Sequence, residues 1–228
     1  MSETWLLLKS GAAASDWNMA LDEALLEAAP RLGQPVLRFY SWLEAAASFG
    51  YFQKHADIEQ MTGLRPLVRR PTGGGLVPHK KDWTYSLVIP PAHSWYALHA
   101  QASYRRMHEW VGDAFGGLGI ETKLAPCCQP AAPGQCFAGA EKFDLLWSGR
   151  KIAGAAQRRT RHGLLIQGSV QSQPPNVARN DWQQAMCDVV SRQQGVNWLA
   201  LELDAALENR AAELVRVKYS QDSYNRRR

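Results

Sequence analysis

Cysteine is scarce in this chain, with four among 228 residues: Cys127, Cys128, Cys136 and Cys187. So few thiols, three of them clustered, make no disulfide framework for a chain of this size. The cluster also lacks the two-residue ligand gap and neighbouring histidine of a zinc site, so no metal ligand set is expected. Long apolar runs are missing too: nothing approaches about 18 uninterrupted apolar residues. "MSETWLLLKSGAAASDW" carries only a short apolar run with Glu3 ahead of it, which fits neither a membrane span nor a secretory signal. These absences predict a cytoplasmic protein with no membrane partner and with thiols that serve packing or chemistry.

A strong charge of one sign is likewise lacking. The 26 basic and 21 acidic side chains leave a net +5 and a pI near 9.1. Such an excess steers acidic protein partners and points only weakly to nucleic acid; none is expected as a partner, and the terminal "NRRR" reads as a solvated tail. The run "RRPTGGGLVPH" has no Gly-Lys-Ser/Thr at the distance a Walker loop requires and does not open a helix as a dinucleotide loop must.

What is present is a core. At 46% hydrophobic residues, the chain is expected to form one domain over residues 1–228. "SDWNMALDEALLEAA" sets Met19, Leu21, Ala24, Leu25 and Ala28 at helical spacing, with Ser15 and Asp16 placed to cap the first turn. "PVLRFYSW" and "AAASFGYFQ" have strand character. "LRPLVRRPTGGGLVPHKKDWTYSLVIPP" reads as strand, glycine loop and a second strand from Thr84 to Ile89, followed by a helix from about Ser94 to Phe115. "APCCQPAAPGQC" reads as an irregular loop, then "FDLLWSGRKIAGAAQRR" and "GLLIQGSVQ" as paired strands, and the C-terminal third as helical. Strands and helices fall in separate runs, which predicts an α+β fold. A monomer is expected.

Two motifs carry candidate chemistry. Gly73, Gly74 and Gly75 can take positive φ and let a backbone approach a ligand, behind Arg69 and Arg70; a plain turn with both arginines in solvent is the competing account. Lys151 follows the turn Gly149-Arg150 and precedes Ala153, Gly154, Ala155 and Ala156. It reads either as a solvated edge lysine or as an ammonium at the mouth of a narrow apolar tunnel, where it could polarise a carbonyl and activate a nearby thiol. In both accounts the turn position predicts that replacing it leaves folding intact.

Taken in order, "NMALDEALL", "LRFYSWLEAAASFGYFQ", "VRRPTGGGLVPH" with "TYSLV" after it, and "GRKIAGAAQRR" with "LLIQGS" after it span Asn18 to Ser169, about two thirds of the chain. This combination resembles the lipoate-protein ligase and octanoyltransferase group of the biotin/lipoyl ligase superfamily. The resemblance implies a mixed, mostly antiparallel sheet flanked by helices, without a separate accessory domain. It also implies attachment of an octanoyl or lipoyl group to a lysine of a lipoyl domain or glycine-cleavage H protein. Carried over, Arg70, Gly73, Gly74 and Gly75 belong to an acyl-binding loop, His79 to the site wall, Gly154 and Ala155 to the acyl site, and Lys151 contacts the acyl carbonyl.

"CFAGAEKFDLLWSGRK" resembles the cysteine-dependent transferases of this group, which implies Cys136 as nucleophile, acyl carrier protein as donor and no cofactor. An ATP- and Mg-dependent ligase acting through an acyl adenylate is the alternative, and a noncatalytic acyl-binding relative is the alternative of another class. The chain departs from the group at three places. Gly75 stands where many cysteine-dependent members have arginine, Lys80 and Lys81 follow His79 so that the expected aspartate is displaced to Asp82, and the histidine that often precedes Gly168 is replaced by Gln167. These departures leave the roles of His79 and Gln167 open.

Overall fold

In the computed structural model, which describes residues 2–128 and 139–227, the chain opens with a strand, β1 (Glu3–Ala13), and a helix, α1 (Ser15–Leu32). Then come β2 (Val36–Trp42), β3 (Ala46–Phe49), α2 (His55–Met61), β4 (Leu67–Arg69), β5 (Val77–His79) and β6 (Trp83–Ile89). The short helix α3 (Ser94–Ala97) and α4 (Ala100–Gly117) lead to β7 (Lys123–Leu124), β8 (Leu145–Trp147), β9 (Arg150–Thr160) and β10 (Gly163–Val170). The chain continues through α5 (Arg179–Gln194), β11 (Val196–Ala200), α6 (Ala205–Leu214), a π-helical turn at Val215–Tyr219 and α7 (Asp222–Asn225).

Among the described residues the main sheet has eight strands in the order β11-β1-β2-β6-β10-β9-β8-β7. β1 runs parallel to both β11 and β2, and the remaining neighbours are antiparallel. The expected mixed, mostly antiparallel α+β architecture is what forms. β10 shows why helices cover both faces. Its Leu164, Ile166 and Val170 join Trp110, Phe115 and Trp182 of α4 and α5 in one core. Leu165, pointing the other way as strand geometry demands, joins Met19, Leu21 and Leu25 of α1 in the other. A second sheet, β4-β3-β5, stands beside the first and carries the residues before and after the glycine loop.

Local departures from expectation have local causes. Ser15 and Asp16 lie inside α1 rather than before it: Ala14 is the N-cap, with no side-chain bond, and Asp16 is an acidic first-turn residue that suits the helix dipole. The helix expected from Ser94 to Phe115 is broken, because His99 adopts an extended backbone and its Nδ1 accepts the Ala102 N–H, starting α4 afresh. β1 hides its strand character, since its residues are half-buried on both sides without clean alternation. β11 sits within the stretch expected to be helical, as an edge strand parallel to β1. No described helix is long and apolar enough to cross a membrane.

Candidate active site

Between the two sheets lies an open cleft lined by residues of both. Met19, Tyr40, Trp42 and Val77 give it an apolar lining, and Gly154, Ala155, Ala156 and Gly168 make one wall from nearly bare backbone. Ser48, Arg70, His79, Lys151 and Gln167 supply the polar groups.

The glycine loop is held by arginines that are both buried, not solvated. Arg70 donates from Nη2 to the carbonyls of Gly73 (2.8 Å) and Gly75 (2.9 Å) and from Nη1 to Ser48 Oγ (3.0 Å). It therefore shapes the loop from inside. Gly74 takes φ 83°, the left-handed conformation glycine favours, and its carbonyl lies so close to Gly50 that a Cβ there would come within 1.8 Å of the oxygen. Arg69 is spent on structure: it donates to the carbonyls of Tyr51 (2.9 Å), Gln53 (2.7 Å), Tyr224 (3.2 Å) and Asn225 (2.9 Å). Arg158, on β9, donates to the Pro71 carbonyl at 3.1 Å and ties the loop to the main sheet.

His79 is buried and stacks on Trp42, with ring centroids 3.7 Å apart. Its Nδ1 lies 2.8 Å from Asp82 Oδ2 and its Nε2 lies 2.7 Å from Ser48 Oγ. The displaced aspartate is thus restored in space: a turn brings Asp82 back to the imidazole three residues along the chain. Thr84 and Ser169 also donate to the same oxygen, at 2.9 and 2.8 Å. Burial lowers the His79 pKa, with Arg70 adding to the effect against the pull of Asp82. Burial alone would raise Asp82, but the electrostatic pull of His79, and after it hydrogen bonds from His79, Ser169 and Thr84, hold it below the ordinary carboxylate value. A neutral imidazole that donates from Nδ1 to an ionised Asp82 and accepts at Nε2 from the serine satisfies every contact.

Both shifts have one sign for stability. Each folded-state pKa is depressed, so each contribution is complete above the ordinary value and is lost as pH falls through the lowered one. The melting temperature is expected to decline as pH drops below about 6.5, the ordinary imidazole value. Burial depresses His108, to about 4, and also His55 and His93, so they share the effect. His79→Gln should flatten part of the slope; a melting series at stepped pH with an unchanged slope would refute this.

Gln167 occupies the place left open by the missing histidine. Its Oε1 accepts from Thr72 Oγ1 and its Nε2 donates to Asp22 Oδ2, each at 2.7 Å. Asp22 in turn pairs with Arg38 Nη1 at 2.7 Å, both side chains fully buried, and accepts from Tyr40 (3.1 Å) and Ser86 (2.7 Å). Gln167 therefore braces the glycine loop on α1. Sequence reasoning missed Asn18, Asp22 and Arg38 as a unit. The signal available was a pair of polar residues four apart on the apolar face of α1.

Lys151 is not a solvated turn residue. It lies in β9, 6% exposed, with Nζ 2.6 Å from Oδ2 of the fully buried Asp144. The edge-lysine account does not fit, and the side chain is among those lining the cleft. The expectation that its replacement leaves folding intact also falls, because a buried carboxylate would lose its cation. Gly154 is what allows the pair its place: a Cβ there would stand 2.7 Å from Lys151 Cε, 2.9 Å from Nζ and 3.2 Å from Asp144 Oδ1. Cys136 lies outside the described residues. Cys127 and Cys128 are exposed, with Cys128 Sγ 3.0 Å from Glu141 Oε2. Cys187 packs in the core, and burial pushes its thiol up to about 11, as suits a structural residue.

Residues 15–195 match the lipoyl protein ligase A/B catalytic domain. The octanoyltransferase LipM of Staphylococcus aureus is 37% identical over 187 residues, which covers 75% of this chain and 66% of that protein. The octanoyltransferase LipM of Bacillus subtilis is 35% identical over 181 residues, covering 74% and 65%. The chain thus spans just under two thirds of the length of these curated relatives. Among solved structures, lipoate-protein ligase A bound with ATP superposes with a TM-score of 0.79 at 22% identity, covering 99% of both chains. A bipartite lipoate protein ligase of Thermoplasma acidophilum, analysed with its E2 lipoyl domain, gives 0.76 at 21%, covering 99% of this chain and 97% of its own. At these identities the likeness concerns the fold.

Proposed function

The chain belongs to the lipoyl protein ligase A/B catalytic-domain family, and from that premise we propose that it is an octanoyltransferase acting through a Cys136 thioester. The donor is octanoyl-acyl carrier protein, and the acceptor is a lysine of a lipoyl domain or glycine-cleavage H protein. The observation that carries this reading is the Lys151 ammonium, fixed by Asp144 at the wall of an apolar cleft. The likeness to octanoyltransferases over most of the chain supports it.

In the first step the Cys136 thiolate attacks the octanoyl thioester, a new C–S bond forms, the donor's C–S bond breaks, and the carrier leaves as its thiolate. In the second step the neutral acceptor amine attacks the enzyme thioester, an amide forms, the C–S bond to Cys136 breaks to release its thiolate, and the surplus amine proton passes to solvent. Lys151 donates hydrogen bonds to the carbonyl oxygen as negative charge gathers there. Arg70, Gly73, Gly74, Gly75, His79, Gly154 and Ala155 bind the acyl chain. Neither step consumes a cofactor. Against the noncatalytic reading, Asp82 keeps a contact with His79 and Gln167 is hydrogen-bonded to the glycine loop.

The direct test supplies an apo lipoyl domain with octanoyl-acyl carrier protein and no ATP, and follows acceptor mass. Octanoylation is expected. Modification only with free octanoate, ATP and Mg would make the enzyme a ligase, and no modification in either case would leave an acyl-binding protein. Gly154→Ala offers a finer check. The nearest atoms its new methyl meets are the end of the Lys151 side chain and Asp144 Oδ1, which can shift without moving backbone, so the melting temperature should stay within about 4 °C, the shift expected for roughly 1 kcal/mol. Displacing the ammonium by about 1 Å should slow transfer by up to about 10²-fold. Full activity in this variant would separate the ammonium position from the chemistry.

A further inference from the structure

Asp144 meets its partners with both carboxylate oxygens. Oδ2 takes the Lys151 ammonium and the Glu141 N–H, each at 2.6 Å. Oδ1 takes a close hydrogen bond from the hydroxyl of Tyr104, which reaches in from α4. The phenol oxygen in turn receives the N–H of Ala155, a residue of the cleft wall, at 3.4 Å. The hydroxyl thus spans from the wall strand to the carboxylate. A carboxylate bonded at one oxygen can still swing about its Cβ–Cγ bond. Bonding at both oxygens fixes its plane, and with it the point where the ammonium rests.

The backbone leading to Asp144 is held in a left-handed bend. Phe143 adopts φ 72°, a left-handed conformation that costs a bulky residue free energy and persists only where the surroundings enforce it. Its N–H donates to the Ala125 carbonyl and the Ala125 N–H donates to the Asp144 carbonyl, both at 2.8 Å, while Arg105 of α4 lies over the Phe143 ring at 5.6 Å. Burial, then the charge of Asp144, raise the Tyr104 pKa, so the hydroxyl remains a donor.

We infer that Tyr104 is a positioning residue for the Lys151 ammonium, acting through Asp144. Its use in catalysis rests on the proposed octanoyl transfer; its hold on the ammonium does not. Tyr104→Phe removes a single oxygen and should fold. It is expected to lower kcat for transfer about tenfold, the scale of one hydrogen bond to a charged group, with KM for the donor unchanged. In a Lys151→Met background the same substitution should have no further effect, because the two residues act on one contact. A phenol that merely supported the fold would lower activity equally in both backgrounds.

A second readout needs no activity. A lysine ammonium held in a buried ion pair exchanges its protons slowly enough to give a ¹H–¹⁵N correlation, identified here by its loss in Lys151→Met. Tyr104→Phe should shift or broaden that signal. Equal kinetic losses in both backgrounds, an absent Lys151 signal in the unmodified protein, or a signal unmoved by Tyr104→Phe would overturn the inference. An unmodified protein that transfers no octanoyl group would overturn the proposed function, and the ammonium signal would still decide the role of Tyr104.

Discussion

Incubated with octanoyl-acyl carrier protein alone, the protein is expected to gain one octanoyl group that hydroxylamine removes, and Cys136→Ala is expected to gain none. Thiolate attack on a thioester needs no adenylate, and the enzyme thioester waits for an amine, so the adduct should accumulate when acceptor is withheld. Transfer to a lipoyl domain should vanish with it. Cys127→Ala, Cys128→Ala and Cys187→Ala should keep both adduct and transfer. Cys187 is packed in the core with a raised pKa, and the exposed pair Cys127 and Cys128 lacks the sequence relation to Lys151 that Cys136 has. Intact mass spectrometry reads the adduct directly. A Cys136→Ala protein that modifies a lipoyl domain at full rate with ATP would make the cysteine a bystander.

The second large effect concerns Lys151 and has two parts. Lys151→Ala should depress transfer by about 10²-fold or more, the loss expected for one preorganised electrostatic donor. It should also destabilise the fold by about 3–5 kcal/mol, because Asp144 is left charged and buried without its cation. For a chain of this length that is a fall of roughly 10 °C in melting temperature. The double variant Lys151→Met with Asp144→Asn should recover much of the stability and none of the activity, which separates the two parts. Lys151→Arg should not restore transfer, since a planar fork cannot occupy the space of a compact ammonium. Thermal melts and transfer assays on the same preparations check both, and near-normal transfer by Lys151→Ala would remove the lysine from the mechanism.

The cleft was legible where a residue type announces itself. Three consecutive glycines and a lysine before a run of small residues marked the loop and one wall. The supports were not legible, because they join residues far apart in the chain through polar contacts without a sequence period. Arg38 of β2 meets Asp22 of α1, Gln167 of β10 meets Thr72 of the loop, and Tyr104 of α4 meets Asp144. "WSGRKIAG" left open whether Lys151 turns inward or outward, since its exposure is decided by Asp144 and by the absent side chain of Gly154. His79 shows the converse. Adjacency in sequence suggested an aspartate displaced out of its usual place, whereas the turn through Lys80 and Lys81 keeps the contact.

The clamp on Arg69 sets an order of events during synthesis. Its backbone N–H and guanidinium bind Asn225 and the Tyr224 carbonyl, so the segment that leads into the glycine loop acquires these partners only after residue 225 has left the ribosome. Until then β4 and the loop that follows it lack this support, whatever the rest of the sheet has already formed.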